Sequence, residues 1–270
     1  MWKKCPLSAR IGIAIILINI IAAIIGPGLT PYSETEIVAD VWAEFSAETW
    51  LGTDHLGRDM LTRLLYGART TITIAFVVTI LSFTMGIFLG FLAAVVGGWV
   101  DQLISRCVDI LMAFPTLIFA LMVLSVLGTS VPILIGVIAV LDATRVFRLS
   151  RALAADIAVM DYVEVARLRG EGLFWVMRRE VLPNAIPPLI AEFGLRFCFV
   201  FLFIAALSFL GLGIQPPYAD WGGMVRENGG AISFGLVAPL VPAGAIAILT
   251  VAVNLVVDWL LHRATAKRGH

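Results

Sequence analysis

The chain has 270 residues and no formal net charge; 60 % of it is hydrophobic and 14 % charged, well below the roughly 25 % charged of soluble domains. This composition excludes an ordinary soluble enzyme and a globally basic nucleic-acid binder, and it describes an all-α polytopic membrane protein. Cys5, Cys107 and Cys198 lie far apart in or beside apolar segments, and His55, His262 and His270 share no ligand spacing with them. Neither a disulfide framework nor a metal site is expected.

Crossing a hydrocarbon core of roughly 30 Å takes about 20 apolar residues. Six segments are candidates: Ile11 to Leu29, Thr71 to Val96, Leu103 to Leu127, Val131 to Phe147, Ile186 to Ile214 and Leu236 to Leu261. The first follows Lys3, Lys4 and Arg10 as a signal peptide would, yet it ends in "IIGPGLTP" with no small-x-small cleavage site, so it is expected to remain as an anchor. The loop from Thr30 to Thr70 carries Glu34, Glu36, Asp40, Glu44, Glu48, Asp54 and Asp59. Towards its end Met60, Leu61, Leu64, Leu65 and Ala68 recur at helical spacing, with Arg58, Thr62 and Arg63 on the other face. The pattern predicts a short interfacial helix feeding the second span. Gly86, Gly90, Ala94 and Gly98 recur every four residues, and small residues at that spacing predict a helix–helix seam. Pro115 should kink the third span.

Charge is concentrated between Arg145 and Glu180, which holds Arg145, Arg148, Arg151, Arg167, Arg169, Arg178 and Arg179 beside Asp156, Asp161, Glu164, Glu171 and Glu180. With both termini in the cytoplasm, this block joins Lys3, Lys4, Arg10, Arg106, Arg263, Lys267 and Arg268 inside, leaving only Arg58, Arg63, Arg69 and Arg226 outside. The excess of cations inside favours that orientation. Within the block, Gly170 and Gly172 should close one short helix, and a second should run from Leu173 to about Leu182, where Pro183 stops it. Leu173, Phe174, Val176, Met177 and Val181 are too apolar for a free loop, so something should cover them.

The lysines are Lys3, Lys4 and Lys267, all near the ends, so no P-loop lysine exists and the chain is not a nucleotide hydrolase of that kind. Asp142, Glu192, Arg196 and Asp258 are the candidate charges within spans. Glu192 and Arg196, one turn apart, either neutralise each other or serve a pathway or gate. A gradient-driven carrier or channel is the alternative, although no internal repeat supports it.

"EVARLRG", with Pro183 thirteen residues after its glycine, resembles the EAA loop of ABC-importer permeases through Glu164, Ala166, Gly170, Leu182 and Pro183. Val165 replaces the loop's first alanine, and Glu180 stands where many members have histidine. "WLGTDHLGRDMLTRLLYGAR" and "LSFLGLGIQPPYADWGGM" resemble hallmark segments of the C-type subunit in the dipeptide/oligopeptide/nickel permease family; the tail "DWLLHRATAKRGH" departs from it. The resemblance implies the type I importer permease fold, MetI-like, with six transmembrane helices. It implies an N-terminal helix and extracytoplasmic loop over residues 1–68, a permease domain over 69–262, and a cytoplasmic tail over 263–270. It further implies a bacterial inner-membrane subunit, itself non-catalytic. The partners implied are a homologous second permease, two ATPase subunits carrying ATP and magnesium, an extracytoplasmic solute-binding protein and membrane lipid, but no nucleic acid. Glu164, Ala166, Gly170, Leu182 and Pro183 would couple to an ATPase, and the solute would be a peptide or a nickel or other metal chelate.

Overall fold

The computed structural model describes residues 6–266, with side chains through His262. The readings placed on Lys3, Lys4, Cys5, Lys267, Arg268 and His270 lie outside the described residues, as does the side chain of Arg263. The described chain is a set of helices joined by loops, the longest over residues 30–59: α1 (Leu7–Leu29), α2 (Met60–Val96), α3 (Gly98–Ala113), α4 (Thr116–Leu127), α5 (Val131–Ala158), α6 (Asp161–Leu168), α7 (Leu173–Val176), α8 (Leu182–Phe209), α9 (Trp221–Glu227) and α10 (Leu240–Ala266).

Four helices among the described residues are long and apolar enough to cross a membrane: α1, α2, the rod from α7 through α8, and α10. Two of the six expected spans differ in form. The third is α3 and α4, bent by 90° rather than kinked. Phe114, forced out of the helical region by the ring of Pro115, adopts φ −88° and ψ 141° and breaks the chain into two helices. The fourth continues to Ala158 as α5 and carries Asp142, Arg145 and Arg148 within its first 18 residues, too many charges to qualify as an apolar span. The expected interfacial helix is likewise not separate. Asp59 caps it by accepting the Thr62 N–H at 2.7 Å, and it runs on unbroken as the first turns of the 37-residue α2.

α2 and α5 form the central pair and run parallel. Ser82 donates to Asp142 at 2.8 Å, a separation of 60 residues, and the same offset recurs down the seam. A Cβ on Gly86 would come within 2.6 Å of Val146, and one on Gly90 within 2.8 Å of Ser150. The seam expected from the small residues therefore lies inside this chain at Gly86 and Gly90. Gly98 is not on it: it follows the end of α2 in a left-handed turn with φ 56° and open space around it.

α1 runs against α2, with Gly26 packed on Leu65, and against α10, with Gly12 packed on Ala252 and Val256. α8 returns from the hairpin end to meet α9, where Gly222 lies against the backbone of Ala205. One end of the bundle thus holds the long loop and α9, and the other holds the α6–α7 hairpin together with the start of α1 and the end of α10. The core between them centres on Val78, Leu134, Ile138, Phe201, Ile204 and Leu207.

The hairpin's second arm departs from expectation. Pro183 does not stop a helix; α7 passes through a π-helical turn, Met177–Val181, directly into α8. The Leu182 N–H reaches back to the Met177 carbonyl. A π turn at this point shifts the carbonyls that a proline ring would otherwise strike, so the helix survives the proline.

Candidate functional site

The hairpin is built to be both fixed and exposed. α6 places Asp161 and Glu164 in its first turn, where negative charge suits the positive end of the helix. It ends in a paired cap: Glu171 N–H donates to Ala166 O at 3.2 Å and Gly170 N–H to Arg167 O at 2.9 Å. Gly170 has φ 81°, a backbone region costly for residues with a Cβ, although a Cβ there would meet no other atom. Below the hairpin, Val163, Val176 and Val181 are fully enclosed and pack with Phe83, Phe91, Val146, Ala154 and Leu189. Burying each such side chain is worth about 1.5–3 kcal/mol. Arg167 adds a bond to the Val95 carbonyl at the end of α2, 3.2 Å. The hairpin is therefore braced against α2, α5 and α8.

Part of the apolar surface expected to need a cover finds it within the chain, at Val176, Met177 and Val181. The rest does not. Leu168 is 80 % exposed and Phe174 66 %, with Val165 and Leu173 beside them. Glu164 and Gly170 share this outer surface, whereas Ala166 is buried against the chain itself. Of the coupling residues read from sequence, Ala166 thus supports the hairpin from beneath, and Leu182 and Pro183 open α8.

A second group lies midway along α5 and α8. Arg196 Nε stands 2.8 Å from Glu192 Oε1, and its Nη1 lies 3.6 Å from Asp142 Oδ1. The expected Glu192–Arg196 pair is real but belongs to a triad with Asp142. Arg145, grouped by sequence with the hairpin charges, sits here instead, its guanidinium 4.2 Å from the centre of the Phe199 ring. Asp258, also expected within a span, is exposed on α10.

At the opposite end, the two hallmark segments fold onto each other. Asp54 Oδ2 accepts from Arg58 Nε at 2.7 Å and Arg63 Nη1 at 2.5 Å, and Glu227 Oε2 accepts from the same two arginines at 3.3 and 2.8 Å. Burial pushes the Asp54 carboxyl up, but the Arg58 and Leu56 N–H donors and both guanidinium charges outweigh it and hold it below its ordinary value. The buried Asn228 side chain accepts from Trp42 Nε1 at 3.2 Å and from the His55 N–H at 3.0 Å. Trp221, at the start of α9, donates through its indole to Leu64 O at 2.9 Å and closes over Gly67. Asp220 caps α9 through the N–H groups of Gly222 and Gly223, and burial pushes its carboxyl up to about 6.

Asp54, His55 and Glu227 each bring an oxygen or nitrogen within 4.8 Å of the others, a spacing that could suit a metal. The two arginines already occupy the carboxylate oxygens concerned, and their charges oppose a cation. The trio is better suited to an ion-pair clasp than to a metal site.

A family profile described as the binding-protein-dependent transport system inner membrane component matches residues 86–268. The chain belongs to this family. It is 34 % identical over 254 residues to the dipeptide transport system permease protein DppC of Alkalihalophilus pseudofirmus, covering 93 % of this chain and 83 % of the relative. The di/tripeptide transport system permease protein DppC of Pseudomonas aeruginosa is 35 % identical over 256 residues, covering 92 % and 84 %. The glutathione transport system permease protein GsiD of Pectobacterium atrosepticum is 34 % identical over 218 residues, covering 80 % and 71 %. A solved amino acid ABC transporter with histidines shares the fold, with a TM-score of 0.54 at 17 % identity over 74 % of this chain and 94 % of that one.

The permease is thus a non-catalytic, multi-pass inner-membrane component of an ABC transport system. Its clasp went unread in the sequence. Asp54 and Arg58 stand one helical turn apart, which is a local signal, but Glu227 is 169 residues from Arg58 and no short motif joins them.

Proposed function

We propose that this permease is the C-type membrane subunit of an ATP-driven peptide importer, pairing with a homologous second permease across the solute pathway. An extracytoplasmic binding protein delivers the solute, and two cytoplasmic ATPase subunits, which hold the ATP and magnesium, drive transport. Residues 69–262 form the permease domain, preceded by an anchor helix and loop over 1–68 and followed by a cytoplasmic tail. The helix directions support a six-crossing topology. α2 and α5 run the same way, so the bent α3–α4 pair must return between them, and α5 then completes a crossing despite its charges. The start of α1 and the end of α10 share the hairpin's side of the bundle, in keeping with cytoplasmic termini and with the cation excess on that side.

The observation that carries the coupling role is the hairpin itself: an apolar surface around Leu168 and Phe174 left open on a support anchored to three long helices. Seated in an ATPase cleft, it would transmit the closing of the ATPase pair to the spans as movement of a rigid body. Glu164 and Gly170 meet the partner, Ala166 packs the support, and Leu182 and Pro183 carry the motion into α8. The Glu192–Arg196 pair, one turn apart, either neutralises itself within the bundle or serves the pathway or gate, and double charge reversal separates the two. The peptide-transport names of the relatives favour a peptide over a metal chelate.

Gly170→Arg tests the coupling role. It should abolish co-purification of the ATPase and ATP-dependent uptake without preventing membrane insertion; unchanged uptake would overturn the assignment. Loading the cognate binding protein from a peptide mixture and identifying what it retains tests the solute class.

A further inference from the structure

We propose that Arg145 is an anion-receiving residue on the translocation pathway, engaging the carboxylate of a passing solute. The inference rests on the importer reading above and assigns its pathway a specific chemistry. Both acids of the mid-helix group lie within ion-pair distance of Arg196, Glu192 at 2.8 Å and Asp142 at 3.6 Å, and the other Asp142 oxygen accepts from Ser82. Arg145 makes no short ion pair among the described residues, although Asp142, one turn away on α5, attracts its charge. Its polar contact is the Thr116 hydroxyl at 3.4 Å, and one face of its guanidinium lies on the Phe199 ring. A guanidinium has five N–H donors in a fork that fits a carboxylate, so most of this one's capacity is unspent.

Depth sharpens the point. Arg145 stands about 20 Å along α5 from its start at Val131, by the rise of an α-helix, well inside a hydrocarbon core of roughly 30 Å. Arginine at that depth faces water or protein and not lipid. The surface shared by Thr116 on α4, Arg145 on α5 and Phe199 on α8 therefore faces water or protein. An aromatic wall beside a cation with open N–H donors suits a small solute with an apolar body and an anionic end.

The test uses the assembled importer with Thr116→Cys as a reporter, the native Cys5, Cys107 and Cys198 being replaced by alanine. Anionic sulfonatoethyl and cationic trimethylammonium-ethyl methanethiosulfonates are compared, each normalised to its rate with a free thiol. The anionic reagent should be favoured by about fivefold or more, as expected for a unit charge acting at close range in a poorly screened site. That preference should fall to parity in Arg145→Gln and persist in Arg145→Lys. An introduced thiol that neither reagent reaches, or a preference unmoved by Arg145→Gln, overturns the proposal. With Arg145 intact, millimolar trialanine should slow the anionic reagent more than trialanine amide does; equal slowing overturns it even where the glutamine variant fails to assemble. Failure of the Arg145-intact chain to retain its ATPase counts instead against the importer reading.

Discussion

Replacing Leu168 and Phe174 together by serine should release the ATPase from an otherwise intact permease. These side chains are 80 % and 66 % exposed, so they add little to the chain's own core. Full burial of a leucine or phenylalanine is worth about 1.5–3 kcal/mol; scaled by the exposed fractions, seating both in a partner cleft contributes about 2–4 kcal/mol. At about 1.4 kcal/mol per factor of ten, the double variant should bind its ATPase some ~30- to ~1000-fold more weakly. The assay is titration of a labelled ATPase subunit onto the permease pair in nanodiscs, with the permease's gel-filtration profile and thermal midpoint as controls. A shift below about threefold in a well-folded pair would refute the docking role of this surface, since it falls about tenfold short of the smallest effect the area argument allows.

Three further outcomes follow from the buried charges. Arg63→Met removes one of the two cations that hold Asp54 and Glu227; with Arg58 left to serve both acids, losing these charge-assisted bonds should cost about 1.5–3 kcal/mol, read as a drop in thermal midpoint at neutral pH. Asp220 is raised from 3.8 to about 6 by burial, so between those values the folded chain holds a proton that the unfolded chain has lost. Stability should therefore fall as pH rises through that window, by at most about 3 kcal/mol, and Asp220→Asn should flatten the slope in thermal melts from pH 4 to 7. Reversing Glu192 and Arg196 together should restore uptake only in part, since a glutamate at position 196 would face Asp142; adding Asp142→Asn should complete the rescue.

The sequence made the apolar helices legible because composition alone decides membrane solubility, and the hairpin legible because its signals are local. Gly170 at a left-handed cap and the close-packed Gly86 and Gly90 were all readable from spacing. The failures share a different cause. Arg145 was grouped with the hairpin because charges adjacent in sequence read as one block, whereas a helix spreads them in depth. From Arg145 to Ala158 the rise is about 20 Å, enough to part a mid-membrane cation from the hairpin. Pro115 and Pro183 carry the same local rule and gave opposite results: one broke the chain by 90°, and the other was absorbed by a π turn packed on α2 and α5. Local chemistry states the strain, and packing decides how it is relieved.

The unbroken run from Leu173 to Phe209 has a mechanical meaning. At about 1.5 Å per residue it is a strut of some 55 Å, with the exposed hairpin surface at one end and the Asp220–Trp221 cap beside the other. With no coil between its ends, the helix offers a direct path for a displacement along its axis. If seating the hairpin rearranges the clasp, then by thermodynamic reciprocity whatever docks on the clasp must alter the hairpin's affinity for its ATPase by the same factor. A binding protein arriving on one side of the membrane would thus be felt as a change of grip on the other.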